Sequence, residues 1–211
     1  EAAKIINEEL TVDDSLFLYH DVCTNGIGYV DLMFKTDSIA PEQIPYLGLL
    51  KSVLGYVDTE NYTYGELFNE INANTGGINC GVEVFDRADS TEEFQAMFSV
   101  RGKALYTKMD FLFKMIGEIL NSSKLEDTKR LYEIVASVKS RAQVNLTGAG
   151  HSTAVLRAAA YSSPMAAFQD EMAGIGYYQF IEKLEKDFEQ RKEETVEELC
   201  KLMKKILRPE N

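Results

Sequence analysis

The stretch that decides the fold is Tyr46–Val82, "YLGLLKSVLGYVDTENYTYGELFNEINANTGGINCGV". Together with Ile44 just upstream, Leu47, Leu50 and Leu54 recur at helical spacing, and prolines fall only in the first turns, where a missing N–H costs least. Thr63 and Glu66 then have the Thr-x-x-Glu spacing of a capping box ahead of "LFNEINANT", and Gly76-Gly77 supplies a stop. After that stop the period changes. Ile78, Cys80, Val82 and Val84 alternate, which predicts a strand with one apolar face. Two helices, a break and a strand follow from this one stretch.

Upstream, "LFLYHDV" and "GIGYVDLMFK" flank "CTNG", and Asn25-Gly26 is a strong hairpin signal, so the two runs are expected to pair with each other. In the second run Val30, Leu32 and Phe34 share an apolar face, while Tyr29, Asp31 and Met33 share a mixed one. Downstream, "FQAMFSVRG" alternates through Phe94, Ala96, Phe98 and Val100, predicting another strand. The intervening "DRADSTEE" reads as a polar turn region; Ser90–Glu93 mimics a helix cap, but the period-two pattern after it argues against a helix there. From Ala104 the pattern is helical, with a break expected at "TGAGH" and a new start at Pro164.

Hairpin, two helices, two strands and a helical half make an α+β fold, an antiparallel sheet with helices packed mainly on one face. Residues 1–15 read as a linker remnant and 16–211 as a single domain; the start at Glu1 without Met and the end at "RPEN" read as cuts from something longer. The other face of the sheet must meet water or another domain. Its candidate binding residues are Tyr29, Asp31, Met33, Glu83, Met97 and Arg101, a mixture of aromatic, thioether and charged groups able to hold a peptide.

Composition narrows the function. A formal charge of −12 on 211 residues argues against a surface that tracks phosphates, since nucleic acid needs clustered Lys and Arg. Basic or amphipathic peptides are better electrostatic partners, or the excess carboxylates simply keep the chain soluble. No apolar run approaches the ~20 residues of a membrane span, so neither nucleic acid nor membrane is an expected partner. Cys23, Cys80 and Cys200 are odd in number and far apart, which points to buried structural thiols in a reducing compartment. Asn145-Leu146-Thr147 matches a glycosylation acceptor, which such a compartment leaves idle.

Candidate chemistry is sparse. The two histidines, His20 and His151, are distant in sequence, and neither has a second ligand at helical spacing, so no metal site is expected. A capping or core role suits them better. Gly-x-Ser-x-Gly is absent, and "NGIGYVD", "TGGIN" and "TGAGH" lack the remaining elements of nucleotide-binding loops. Arg157 within "LRAAAY" reads as a buried ion-pair partner or a substrate contact.

Taken jointly, "TNGIGYVDLMF", "PYLGLLKSVLGYVDTENYTYGEL", "NTGGIN", "GH" at 150–151 with "SP" at 163–164, and "GIGYYQFIEKLEKDFE" carry a resemblance. The chain resembles the pitrilysin/insulinase family of inverted-zincin metallopeptidases, within it the presequence-protease branch, and there the third, non-catalytic domain with the end of the preceding linker. The resemblance implies a longer zinc enzyme whose halves close around a chamber for unstructured peptides, with this chain part of the wall beside other domains of the same polypeptide. Catalytic domains of that family carry His-x-x-Glu-His on the first helix; here the corresponding region near Leu49–Val53 reads "LLKSV". The resemblance therefore implies no catalytic residue, no metal and no cofactor in this chain, zinc only in the parent protein, and no peptide cleavage by this chain alone. The family's transition-state Arg and Tyr belong to another domain and are not assigned to Arg157 or Tyr161. The bacterial cytoplasm is the expected setting, with the mitochondrial matrix as the alternative. A zinc-free structural or assembly subunit of the same fold is the rival reading, and a free-standing peptide-binding module a third.

Overall fold

The computed structural model describes residues 6–12, 15–86, 93–208 and 211. Two short strands come first, β1 (Ile6–Val12) and β2 (Ser15–Asp21), followed by β3 (Ile27–Lys35). A 3-10 turn at Pro41–Gln43 leads into α1 (Ile44–Val53), then α2 (Tyr64–Asn74), β4 (Ile78–Asp86) and β5 (Phe94–Leu105). Six helices follow: α3 (Met109–Ser122), α4 (Thr128–Gly148), α5 (Gly150–Ala159), α6 (Pro164–Ala173), α7 (Ile175–Lys186) and α8 (Phe188–Ile206). Residues 87–92, the greater part of the expected turn region and of the cap-like Ser90–Glu93, lie outside the described residues.

The α+β class is as the sequence predicts, but the pairing is not. β2 pairs with β1, not with β3, and the main sheet runs β3-β5-β4, all antiparallel. The Asn25-Gly26 turn does form, with φ of 52° and 83° and Ile27 N–H donating to the Thr24 carbonyl at 3.2 Å. It redirects the chain without closing a hairpin. Val30, Leu32 and Phe34 gain more by lying beside β5, whose Phe98 and Val100 are fully buried, than by pairing with the exposed β2. The segment read as a linker remnant contains β1, whose Leu10 and Val12 are exposed along with Leu16, Phe17 and Tyr19 of β2.

The core lies between the inner face of the sheet and the helices. Leu47, Leu49, Leu50 and Val53 of α1 are completely buried and pack in one cluster with Phe98 and Val100 of β5, Leu112 and Met115 of α3, and Leu199 and Leu202 of α8. The α2 capping box forms as spaced: Glu66 N–H donates to the Thr63 hydroxyl at 3.3 Å and Thr63 N–H to the Glu66 carboxylate at 2.9 Å. α1 meets α6 and α7 at Gly48, where a Cβ would lie 2.7 Å from the Tyr177 ring and 2.8 Å from the Met172 carbonyl oxygen. Only a residue without a side chain permits that approach.

Beyond α4 the chain turns at Ala149 into α5, as the break at "TGAGH" predicts, and Arg157 finds its partner there. Its Nη1 donates to Asp170 Oδ2 of α6 at 2.6 Å, and the Asp170 carboxylate is 1% exposed. The same carboxylate accepts from Ile175 N–H at 3.0 Å and Gly176 N–H at 3.1 Å. Because Gly174 offers no capping side chain, Asp170 satisfies the free N–H groups at the start of α7 from the preceding helix.

Candidate functional site

The outer face of the three-stranded sheet is built by register. Asp31 lies opposite Arg101 and Arg101 opposite Asn79; Met33 lies opposite Ser99 and Ser99 opposite Gly81; Met97 lies between Lys35 and Glu83; Tyr29 faces Lys103. Since side chains alternate across a strand, all six predicted residues, Tyr29, Asp31, Met33, Glu83, Met97 and Arg101, share this one face. Their inward neighbours Phe98 and Val100 are buried, whereas Tyr29 is 64% exposed.

Register also creates contacts that spacing alone does not give. Arg101 Nε donates to Asp31 Oδ2 at 2.7 Å and Nη1 lies 3.1 Å from Glu83 Oε1, so one guanidinium on the central strand spans both edge strands. The hydrogen bond to Asp31 raises the Arg101 pKa further above its ordinary value, and the charges of Asp31 and Glu83 act in the same direction. Both carboxylates of the predicted set are thereby engaged. Lys35 and Lys103, which the sequence reading did not include, share the face, so it carries more cations than anions although the whole chain is strongly acidic. Continuing the alternation two residues further along each strand would have found them.

The helix that would hold a metal in the resembling peptidases offers no such chemistry. In "LLKSV" Leu49, Leu50 and Val53 are fully buried. Lys51 is not among the donors zinc sites use, although burial, which holds its pKa below the usual lysine range, favours its neutral amine. These side chains do not fit a zinc ion, which needs imidazole, thiolate or carboxylate donors. Among the described residues no group of three or more His, Cys, Asp or Glu could hold a metal ion. His20 and His151 are both exposed, not core residues; a ring nitrogen of His20 hydrogen-bonds Asn7 across the β1–β2 ribbon at 2.6 Å.

The cysteines depart from the expectation of buried thiols, with Cys80 and Cys200 half-buried. All three are free, but Cys23 is exposed in the turn before β3 and not part of an apolar face. Cys80 points into the core from β4, and burial pushes its thiol from 9.0 up to about 12. The stability this neutral thiol contributes is fully present below about pH 9 and lost as pH rises toward about 12. Iodoacetamide at pH 8 is therefore expected to label Cys23 first, with Cys80 at least about a hundredfold slower. Comparable labelling rates, read by mass spectrometry, would show that the β4 side of the core is open.

Comparison with known proteins bears directly on these features. Residues 1–184 match the family described as peptidase M-16C associated. The chain belongs to that family. A protein named HypA from Clostridium perfringens is 34% identical over 207 residues, 98% of this chain and 21% of that protein. The mitochondrial presequence protease of Saccharomyces cerevisiae is 30% identical over 193 residues, covering 89% of this chain and 19% of the protease, and that of Yarrowia lipolytica is 29% identical over 168 residues, covering 80% and 17%. The chain thus spans about a fifth of the length of the curated relatives it matches. As a member of this peptidase-associated family it is a presequence-protease-like, non-catalytic domain, in keeping with the apolar α1. Relatives occur in bacteria and in mitochondria, and no helix among the described residues is long and apolar enough to cross a membrane.

Proposed function

We propose that this chain is a wall element of the peptide chamber in a longer zinc metalloendopeptidase that degrades unstructured peptides, with the zinc and the bond-breaking groups supplied by other domains of the same polypeptide. The observation that carries this reading is the division of the sheet: helices and core cover one face, while the other leaves Tyr29, Met33 and Phe85 exposed around the Arg101 cluster. A peptide laid on that face meets the apolar side chains of Tyr29, Met33 and Phe85 and the polar ends of Lys35 and Lys103. With Asp31 and Glu83 already paired to Arg101, the contacts are to peptide backbone and apolar side chains more than to basic ones. The presequence proteases among the relatives favour this reading over a zinc-free assembly subunit. The setting is a bacterial cytoplasm, with the mitochondrial matrix as the alternative. Neither nucleic acid nor a membrane is a partner.

The test uses the 211-residue chain and a fluorescein-labelled, unstructured peptide of about twenty residues, followed by anisotropy. Binding is expected, and Tyr29→Ala combined with Met33→Ala is expected to weaken it about fivefold to tenfold, in line with the loss of two exposed anchors. Binding that is absent, or indifferent to the double substitution, overturns the role of the sheet face. Metal analysis of the same sample is expected to find no stoichiometric zinc; one tightly held zinc per chain overturns the division of labour.

A further inference from the structure

The open edge of β3 combines backbone and side-chain signals of an incomplete sheet. Tyr106 N–H donates to the Gly26 carbonyl at 2.9 Å and Thr36 N–H to the Ala96 carbonyl at 3.2 Å, and the register between them is unbroken. Antiparallel pairing alternates, so Gly28, Val30, Leu32 and Phe34 direct their backbone groups to β5. The N–H and C=O groups of Tyr29, Asp31 and Met33 point the other way, and among the described residues no strand meets them. One edge group is already taken: the Asn211 side-chain amide donates to the Lys35 carbonyl at 2.9 Å, bringing the chain back to this edge after α8. On the core side Val30, Leu32 and Phe34 are only half-buried, unlike Phe98 and Val100 of the neighbouring strand.

We infer that an extended segment of the same polypeptide, outside these 211 residues, pairs with β3 as a fourth strand of the sheet. Its sequence alternates, with apolar side chains covering Val30, Leu32 and Phe34 and its other side chains extending the outer face beside Tyr29 and Met33. A strand in cis is favoured over a second copy or a free peptide on two grounds. The relatives are about five times as long as this chain, and a tethered segment arrives at high effective concentration at an edge the chain already revisits. The inference rests on the longer-protein part of the proposed function and not on peptide contact with the sheet.

Hydrogen exchange and one proline test it. In the 211-residue chain the amides of Tyr29, Asp31 and Met33 are expected to exchange at least about a hundredfold faster than those of Val30, Leu32 and Phe34; in the longer polypeptide carrying this chain the two sets converge. Met33→Pro removes an outward N–H while keeping every bond to β5, so its melting temperature is expected to match that of Met33→Ala in the 211-residue chain and to fall several degrees below it in the longer polypeptide. Outward amides that stay fast in the longer polypeptide overturn the inference. So does protection that appears in the 211-residue chain on raising its concentration, which indicates a second copy, or protection of the longer polypeptide that appears only on adding the unstructured peptide. Because Met33→Ala controls for the side chain, loss of peptide binding and loss of strand pairing read out separately.

Discussion

Asp170→Ala is expected to lower the unfolding free energy by about 3 kcal/mol, among the largest effects of any single polar substitution in this chain. The carboxylate is buried and accepts three hydrogen bonds, from Arg157 and from the N–H groups of Ile175 and Gly176. Alanine leaves those two backbone donors without their acceptor at the positive end of α7 and the Arg157 guanidinium without its counter-ion. Arg157 is 38% exposed and recovers water, so Arg157→Ala is expected to cost clearly less than Asp170→Ala. Urea midpoints of the two variants check the order. Equal losses would mean that the ion pair dominates and that capping of α7 contributes little.

The second large effect concerns α1. Leu50→Ala is expected to destabilise by about 3 kcal/mol, from lost burial and from the cavity left behind. Leu50 is fully buried within the cluster that α1 builds with the sheet and the last helices. The variant is expected to gain no affinity for zinc, since alanine supplies no donor and no described group of ligands stands nearby. A loss below about 1 kcal/mol would show that α1 is loosely held. Packing and metal binding make opposite demands on such a helix: side chains that fill the space cannot also surround an ion.

Where local signals and burial agree, the sequence is readable. The change from helical to alternating period at Gly76-Gly77 locates α2 and β4, and the Thr63–Glu66 spacing is the cap observed. Alternation likewise puts Tyr29, Asp31, Met33, Glu83, Met97 and Arg101 on one face, because period two leaves no freedom once the strands are known. Which strands are neighbours depends on long-range burial, and the Asn25-Gly26 turn speaks only for its own four residues. The Arg101 cluster is illegible for the same reason: its members are far apart in sequence and meet only through register. Asp170 sits in "FQDEMAG" like any polar residue, and nothing in that run reveals that it caps the next helix.

β5 is the strand to which both β3 and β4 are bonded, and Asp31 and Arg101 are 70 positions apart. During translation at ~5–20 residues per second, β3 leaves the ribosome roughly 4 to 14 s before its partner. Through that interval its apolar Val30, Leu32 and Phe34 are without β5, so the nascent β3 is expected to be bound by chaperones that take short hydrophobic extended segments.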